Sequence, residues 1–181
     1  MDLANINWNI YKEVQDWQGM KIHHAHADTI FYDVQDAIGI DPGRNFGVGL
    51  LTAGTLSIYW ATLPAQEHDY DYFGYVQKFM MDWFPKDNPA KIAMVEGPSY
   101  ASLYKQPFLE DVRLGFLMSL QMLGKEVDYV APQSVRKVVF GNGRTKAATV
   151  WYDLSGKAAN GADAGAVALY AGGYKYDTIS Q

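Results

Sequence analysis

An apolar run that ends on an acid and turns straight back constrains this chain more than any other feature: Ile38-Gly39-Ile40-Asp41-Pro42-Gly43-Arg44-Asn45-Phe46-Gly47-Val48-Gly49-Leu50-Leu51. Ile38 and Ile40 read as a short buried strand that Pro42 and Gly43 stop, so Asp41 stands at a strand end beside a second, returning strand. Glycines 47 and 49 alternate along that second strand, share one face of it, and leave room for another element to pack closely. An Asp-Pro-Gly triplet alone is an ordinary turn. Here two further acids answer it. Lys91-Ile92-Ala93-Met94-Val95-Glu96 is another apolar run ending on a carboxylate, stopped by Gly97 and Pro98. Asn160-Gly161-Ala162-Asp163-Ala164-Gly165-Ala166-Val167-Ala168-Leu169 reads as a small-residue helix starting near Ala162. That start places Asp163 in the first turn, where exposed amides favour a negative charge. Three acids from distant parts of a chain, two at strand ends and one at a helix start, form the oxygen donor set that a hard divalent cation such as Mg²⁺ prefers.

The flanking pattern predicts an α/β architecture. Residues Phe46 to Leu51 and Thr55 to Leu63 alternate and are joined by Ala53-Gly54, as in a hairpin. A helix is expected over Tyr72 to Phe84, then the strand ending at Glu96, a helix from about Pro107 to Leu123 closed by Gly124, and a strand over Val127 to Ala131. Helices near Thr145 to Leu154 and Ala162 to Ala171 complete the order. Three antiparallel strands followed by alternating helices and strands give a mixed five-stranded sheet flanked by helices, an order that resembles the ribonuclease-H-like fold. A chain of 181 residues that is 49% hydrophobic can bury one full core, and it contains no internal repeat.

At the three acids the chain resembles the RuvC family of Holliday-junction resolvases, within the ribonuclease-H-like superfamily. The resemblance runs from about Ile38 to Ala171. It rests on Gly39-Ile40-Asp41-Pro42-Gly43, on Val95-Glu96, and on Asp163 followed by its alanine-rich run. It implies a metal-dependent endonuclease that cleaves branched DNA by two-metal phosphodiester hydrolysis, with Asp41, Glu96 and Asp163 as catalytic metal ligands for two Mg²⁺ ions and Mn²⁺ as a substitute. It also implies a homodimer, because a four-way junction has two equivalent strands to cut. The family's usual fourth ligand, an Asp or His three residues before the last acid, is Asn160 here, whose amide oxygen brings no charge and cannot act as a base. The stretch Ala131 to Lys137 and Gly141 to Lys146 resembles the family's DNA-backbone-binding loop and helix, which makes Arg136, Lys137, Arg144 and Lys146 candidate DNA contacts. Tyr100 and Tyr104 fall where the family places an aromatic that stacks on a base, whereas Phe108 suits packing in the core. An RNA-processing nuclease of the same fold and a non-catalytic junction-binding protein remain alternatives.

The net charge of −5 would repel a polyanion were it evenly spread. It is not. Residues 1–37 hold Asp2, Glu13, Asp16, Asp28, Asp33 and Asp36 against Lys12 and Lys21, whereas residues 132–157 hold Arg136, Lys137, Arg144, Lys146 and Lys157 against Asp153. The chain has no cysteine, which excludes disulfides and thiolate metal sites and fits a cytoplasmic protein. No apolar run is long enough to cross a bilayer. The chain thus divides into an N-terminal extension, 1–37, and a nuclease-like domain, 38–181. In the extension, Ile6, Trp8, Ile10, Tyr11, Val14 and Trp17 suit a short amphipathic helix that packs on the core or on a partner subunit. His23, His24 and His26 follow; His24 and His26 would share one side of a strand, and with Asp28 they could form a zinc site.

Overall fold

The structure, a computed structural model, describes residues 1–98 and 106–176. Its centre is the run read first from the sequence. β4 (Ala37–Asp41) and β5 (Asn45–Thr52) are buried along nearly their whole length, and they read as continuous apolar runs because helices cover both faces of the sheet. They pair antiparallel, with Gly39 opposite Gly49 and Asp41 opposite Gly47. Ala53 and Gly54, at φ 49° and 76°, make the two-residue turn into β6 (Thr55–Thr62); positive φ at both positions matches the twist of a hairpin. On its other edge β4 pairs parallel with β7 (Ile92–Glu96), which pairs parallel with β8 (Glu126–Val130). The crossovers are α1 (Asp71–Trp83) and α2 (Pro107–Met122). After β8 come α3 (Pro132–Phe140), the single turn α4 (Ala147–Val150) and α5 (Ala158–Ala171).

Alternate residues of the strands feed two separate cores. Phe46, Val48, Phe79 and Phe116 pack on the α1–α2 side, while Leu51, Ile58, Trp151 and Val167 pack on the α5 side. Phe108 lies against Tyr72, ring centroids 5.4 Å apart, and so joins the core as expected.

The extension departs from the expected helix. After a single 3₁₀ turn at Leu3–Asn5 it forms β1 (Trp8–Ile10), β2 (Gln15–Trp17) and the long β3 (Met20–Ile30). β3 pairs with β6, and the five expected strands become eight among the described residues, in the order β1-β3-β6-β5-β4-β7-β8 with β2 also on β3. The cause is tertiary. Trp8 buries its ring on Trp151 at 5.2 Å, and Trp151 Nε1 donates to the Leu3 carbonyl at 3.0 Å. Trp17 packs on the opposite face, edge-on to Phe79 at 5.3 Å. Anchors on both faces of one sheet suit a period of two, which a helix cannot supply.

The zinc arrangement is not assembled. The Asp28 carboxylate accepts from the Asn7 amides at 3.1 and 3.0 Å, and His24 is sandwiched between Tyr11 and Tyr59 at 4.4 and 4.3 Å. Among the described residues no helix is long and apolar enough to cross a membrane.

Candidate active site

Strand geometry sets Asp41 and Glu96 side by side. A Cβ added at Gly39 would lie 2.2 Å from the Ala168 backbone nitrogen, so the face of β4 carrying Gly39 is pressed against α5. Asp41 is two residues further on and shares that face. Met94 packs with the α5-side core, which puts Glu96 on the same face of β7 by the same rule. The two strands are neighbours running the same way, and both acids end them.

Glycine brings the third acid across. At Gly47 an added Cβ would lie 2.0 Å from the Asn160 carbonyl oxygen, and at Gly49 one would lie 2.5 Å from that of Ala164. Helix backbone therefore touches strand backbone directly, and Asp163 is carried over the ends of β4 and β5. The close packing at Gly47 and Gly49 read from the sequence is thus with α5. From the helix side, Gly161 and Gly165 face Trp60 and Ile58, where a Cβ would approach to 2.9 Å in each case.

α5 starts four residues earlier than expected, at Ala158, so Asp163 sits in its second turn and not among the exposed first amides. Gly161 lies inside the helix that the sequence pattern starts near Ala162. The glycine is there for close approach, and packing rather than the helix terminus holds Asp163 in place.

The charge balance is strained. Asp41 is pushed well above the usual carboxylate range, first by burial and then by the negative charges of Glu96 and Asp163, with Arg136 and Arg113 pulling the other way. Glu96 is pushed up to about 7 by burial and by Asp163, opposed by the same two arginines. Burial raises Asp163 as well, against Arg136 and Lys146. All three keep some contact with solvent, yet each is surrounded closely enough for burial to lead. Among the described residues no three His, Cys, Asp or Glu side chains are already gathered as a closed cation cage. The acids lie within electrostatic reach of one another and short of that.

Asn160 lies one helical turn before Asp163, with its backbone against Gly47. Its Nδ2 donates to the Lys157 carbonyl at 3.0 Å, which leaves Oδ1 as the atom it can offer a cation. Of the predicted basic residues, Arg136 on α3 and Lys146 at the start of α4 act on the acids, while Lys137 and Arg144 are exposed and do not contribute to those shifts. The Gly141–Lys146 loop is a built turn: Gly141 ends α3 at φ 79°, and the Arg144 amide donates to Asn142 Oδ1 at 2.8 Å. Tyr100 and Tyr104 lie outside the described residues.

Sequence reasoning missed Arg113. It sits on α2 with only 12% of its side chain exposed, paired with Glu110 at 2.8 Å, and its Nε is buried without a hydrogen-bond partner among the described residues. The signal available was a cation among the buried apolar positions Val112, Phe116 and Leu120.

No protein-family model matches this chain, and no curated protein matches it by sequence. Solved structures do match. A Thermus thermophilus RuvC structure superposes with a TM-score of 0.53 at 18% identity, covering 75% of this chain and 92% of that one. The chain has the RuvC fold. T. thermophilus RuvC in complex with a Holliday junction substrate superposes at 0.50 and 19% identity, covering 74% of this chain and 90% of that one. The RuvC structures are thus covered nearly end to end, while about a quarter of this chain lies outside the match, so the RuvC fold is present here with added structure.

Proposed function

We propose that the protein is a metal-dependent endonuclease that cleaves four-way DNA junctions. The observation that carries this is the convergence of Asp41, Glu96 and Asp163 on one end of a RuvC-fold sheet, with each carboxyl raised by its surroundings. Clustered, partly buried carboxylates are unfavourable on their own and suit a hard divalent cation. Asp41, Glu96 and Asp163 would hold Mg²⁺, with the Asn160 amide oxygen as a neutral fourth donor. Two such ions would supply an activated water and stabilisation of the leaving 3′-oxygen.

The rest is done by the chain itself. Arg136 and Lys146 place positive charge beside the acids, where a backbone phosphate must come close, and their effect on the acids supports that role. Arg113, anchored by Glu110, offsets part of the cluster's negative charge from the α2 side. The backbone contact of α5 with β4 and β5 fixes the spacing of Asp163 from Asp41, so that little rearrangement precedes reaction. Lys137 and Arg144 extend the basic surface at its exposed rim, and Tyr100 and Tyr104 are assigned to base contact by the resemblance alone. The exposed apolar side chains Leu114, Met118 and Met122 share one face of α2, which suits pairing with a second copy in a two-fold dimer.

Incubation of labelled four-way junction, duplex, single strand and RNA–DNA hybrid with Mg²⁺, Mn²⁺ or EDTA tests the proposal. Metal-dependent nicking of the junction in preference to the others is expected. Preference for the hybrid would favour an RNA-processing nuclease, and tight junction binding without cleavage in either metal would favour a structural protein.

A further inference from the structure

A cavity of about 430 Å³ opens at the same end of the sheet as the acids, and Met20, Lys21, His23, Trp60, Pro64 and Lys157 are among its walls. Its position is fixed by strand register. Asp41 lies opposite Gly47, Gly47 opposite Trp60, and Trp60 opposite His23, so one straight row crosses four strands from the acidic site to the cavity. At about 4.8 Å per strand that row spans roughly 14 Å. The His23 ring lies flat over Trp60, centroids 5.6 Å apart and planes 11° from parallel, with the imidazole on the outside. Lys157 caps the start of α5 one turn before Asn160, whose carbonyl rests on Gly47, and it takes part in none of the ion pairs among the described residues. Lys21, across the cavity, is already paired with Asp16.

We propose that this cavity seats a nucleotide of the DNA strand that crosses the acidic site, its phosphate at Lys157 and its base against the outer face of His23. The proposal rests on the reading of that site as a DNA-cutting centre. It assigns a substrate contact to the N-terminal extension, which supplies Lys21 and His23. The occupant follows from chemistry and place: a flat aromatic face, a neighbouring cation, room for a base with its sugar, and a position at the same end of the sheet as the acids, across the first turn of α5 that rests on Gly47 and Trp60.

The test uses the full chain and a fluorescein-labelled four-way junction in EDTA, read by anisotropy over a range of salt, for wild type, Lys157→Ala, Lys157→Arg and His23→Ala. Lys157→Ala is expected to weaken binding and to lower the slope of log K against log salt by about 0.9, the value for one lost phosphate contact, with Lys157→Arg close to wild type. His23→Ala, at an exposed position, is expected to cost about 5-fold or more. Junctions carrying 2-aminopurine at successive positions beside the cut phosphodiester should show quenching at one position with wild type and its loss with His23→Ala. Unchanged affinity, slope and fluorescence in a protein that cuts junctions would overturn the proposal and leave the nuclease reading standing. If wild type cuts nothing, the nuclease reading fails, and the binding data still decide for or against the cavity. A shift of the variants from dimer to monomer in sedimentation, with junction affinity unchanged, would make a second copy the occupant and would likewise refute it.

Discussion

Gly47→Ala probes the contact that brings Asp163 to Asp41. The new methyl would stand 2.0 Å from the Asn160 carbonyl oxygen and 2.5 Å from its carbon. Both are backbone atoms, so no side-chain rotation relieves the clash. Even to reach 3.0 Å, α5 has to retreat by about 1 Å. Overpacking of this kind costs about 1–3 kcal/mol, and for a chain of this size each kcal/mol lowers Tm by about 2–4 °C. A fall of roughly 2–12 °C in thermal unfolding by circular dichroism is expected on that basis. The effect on rate should be larger in proportion, since a displacement of about 1 Å between reacting groups can cost about 10²-fold. The control is Gly74→Ala in α1, where an added Cβ meets nothing within 4 Å. There the substitution should stabilise the helix by about 0.5–1 kcal/mol and leave junction cleavage as it was. Wild-type melting and wild-type cleavage in Gly47→Ala would refute the account of how the site is assembled.

In EDTA the protein should become more stable as pH falls from 8 toward 5. Glu96 holds its proton more tightly folded, at about 7, than unfolded, at 4.5, so the native state binds more protons across that window and stability drops as pH rises through it. The penalty above pH 7 is up to about 3 kcal/mol, and Asp41 and Asp163 shift in the same direction. Glu96→Gln should therefore raise Tm at pH 8 and do little at pH 5; a melting temperature that is flat with pH in both proteins contradicts this. Arg136→Ala with Lys146→Ala should weaken binding of all junction sequences alike and lower the salt slope by up to about 0.9 per lost phosphate contact, as read by anisotropy. Asn160→Asp should lower the Mg²⁺ concentration for half-maximal cleavage by adding a charged donor, and wild type should be faster in Mn²⁺ than in Mg²⁺, because Mg²⁺ demands near-ideal octahedral geometry. Unchanged metal titrations in Asn160→Asp would remove Asn160 from the site.

The parts of this fold that announce themselves in the sequence are those whose signal is local. Pro42-Gly43 after Asp41 and Gly97-Pro98 after Glu96 mark strand ends without help from the rest of the chain, and Ala53-Gly54 marks its hairpin. The extension was illegible for the opposite reason. Trp8 is placed by Trp151 and Leu3, and Trp17 by Phe79 on the far face, so a run that also fits a helical period takes its structure from contacts made far along the chain. The sequence pattern starts α5 near Ala162, four residues late, because nothing local shows that the ring of Trp60 packs on Gly161 and keeps that glycine in the helix. Arg113 lay hidden in an amphipathic helix, where a lone cation looks like part of the solvated face until the acids it opposes are placed.

Cleavage of an end-labelled four-way junction in Mg²⁺ by wild type and by Asp41→Asn, Glu96→Gln and Asp163→Asn decides whether these three carboxylates cut DNA, with thermal unfolding and junction binding measured alongside. Wild type is expected to nick the junction, and each amide variant to be folded, inactive and bound to the junction at least as tightly, since removing a negative charge favours the approach of a phosphate. Cleavage at the wild-type rate by any one of the three folded variants would contradict that expectation.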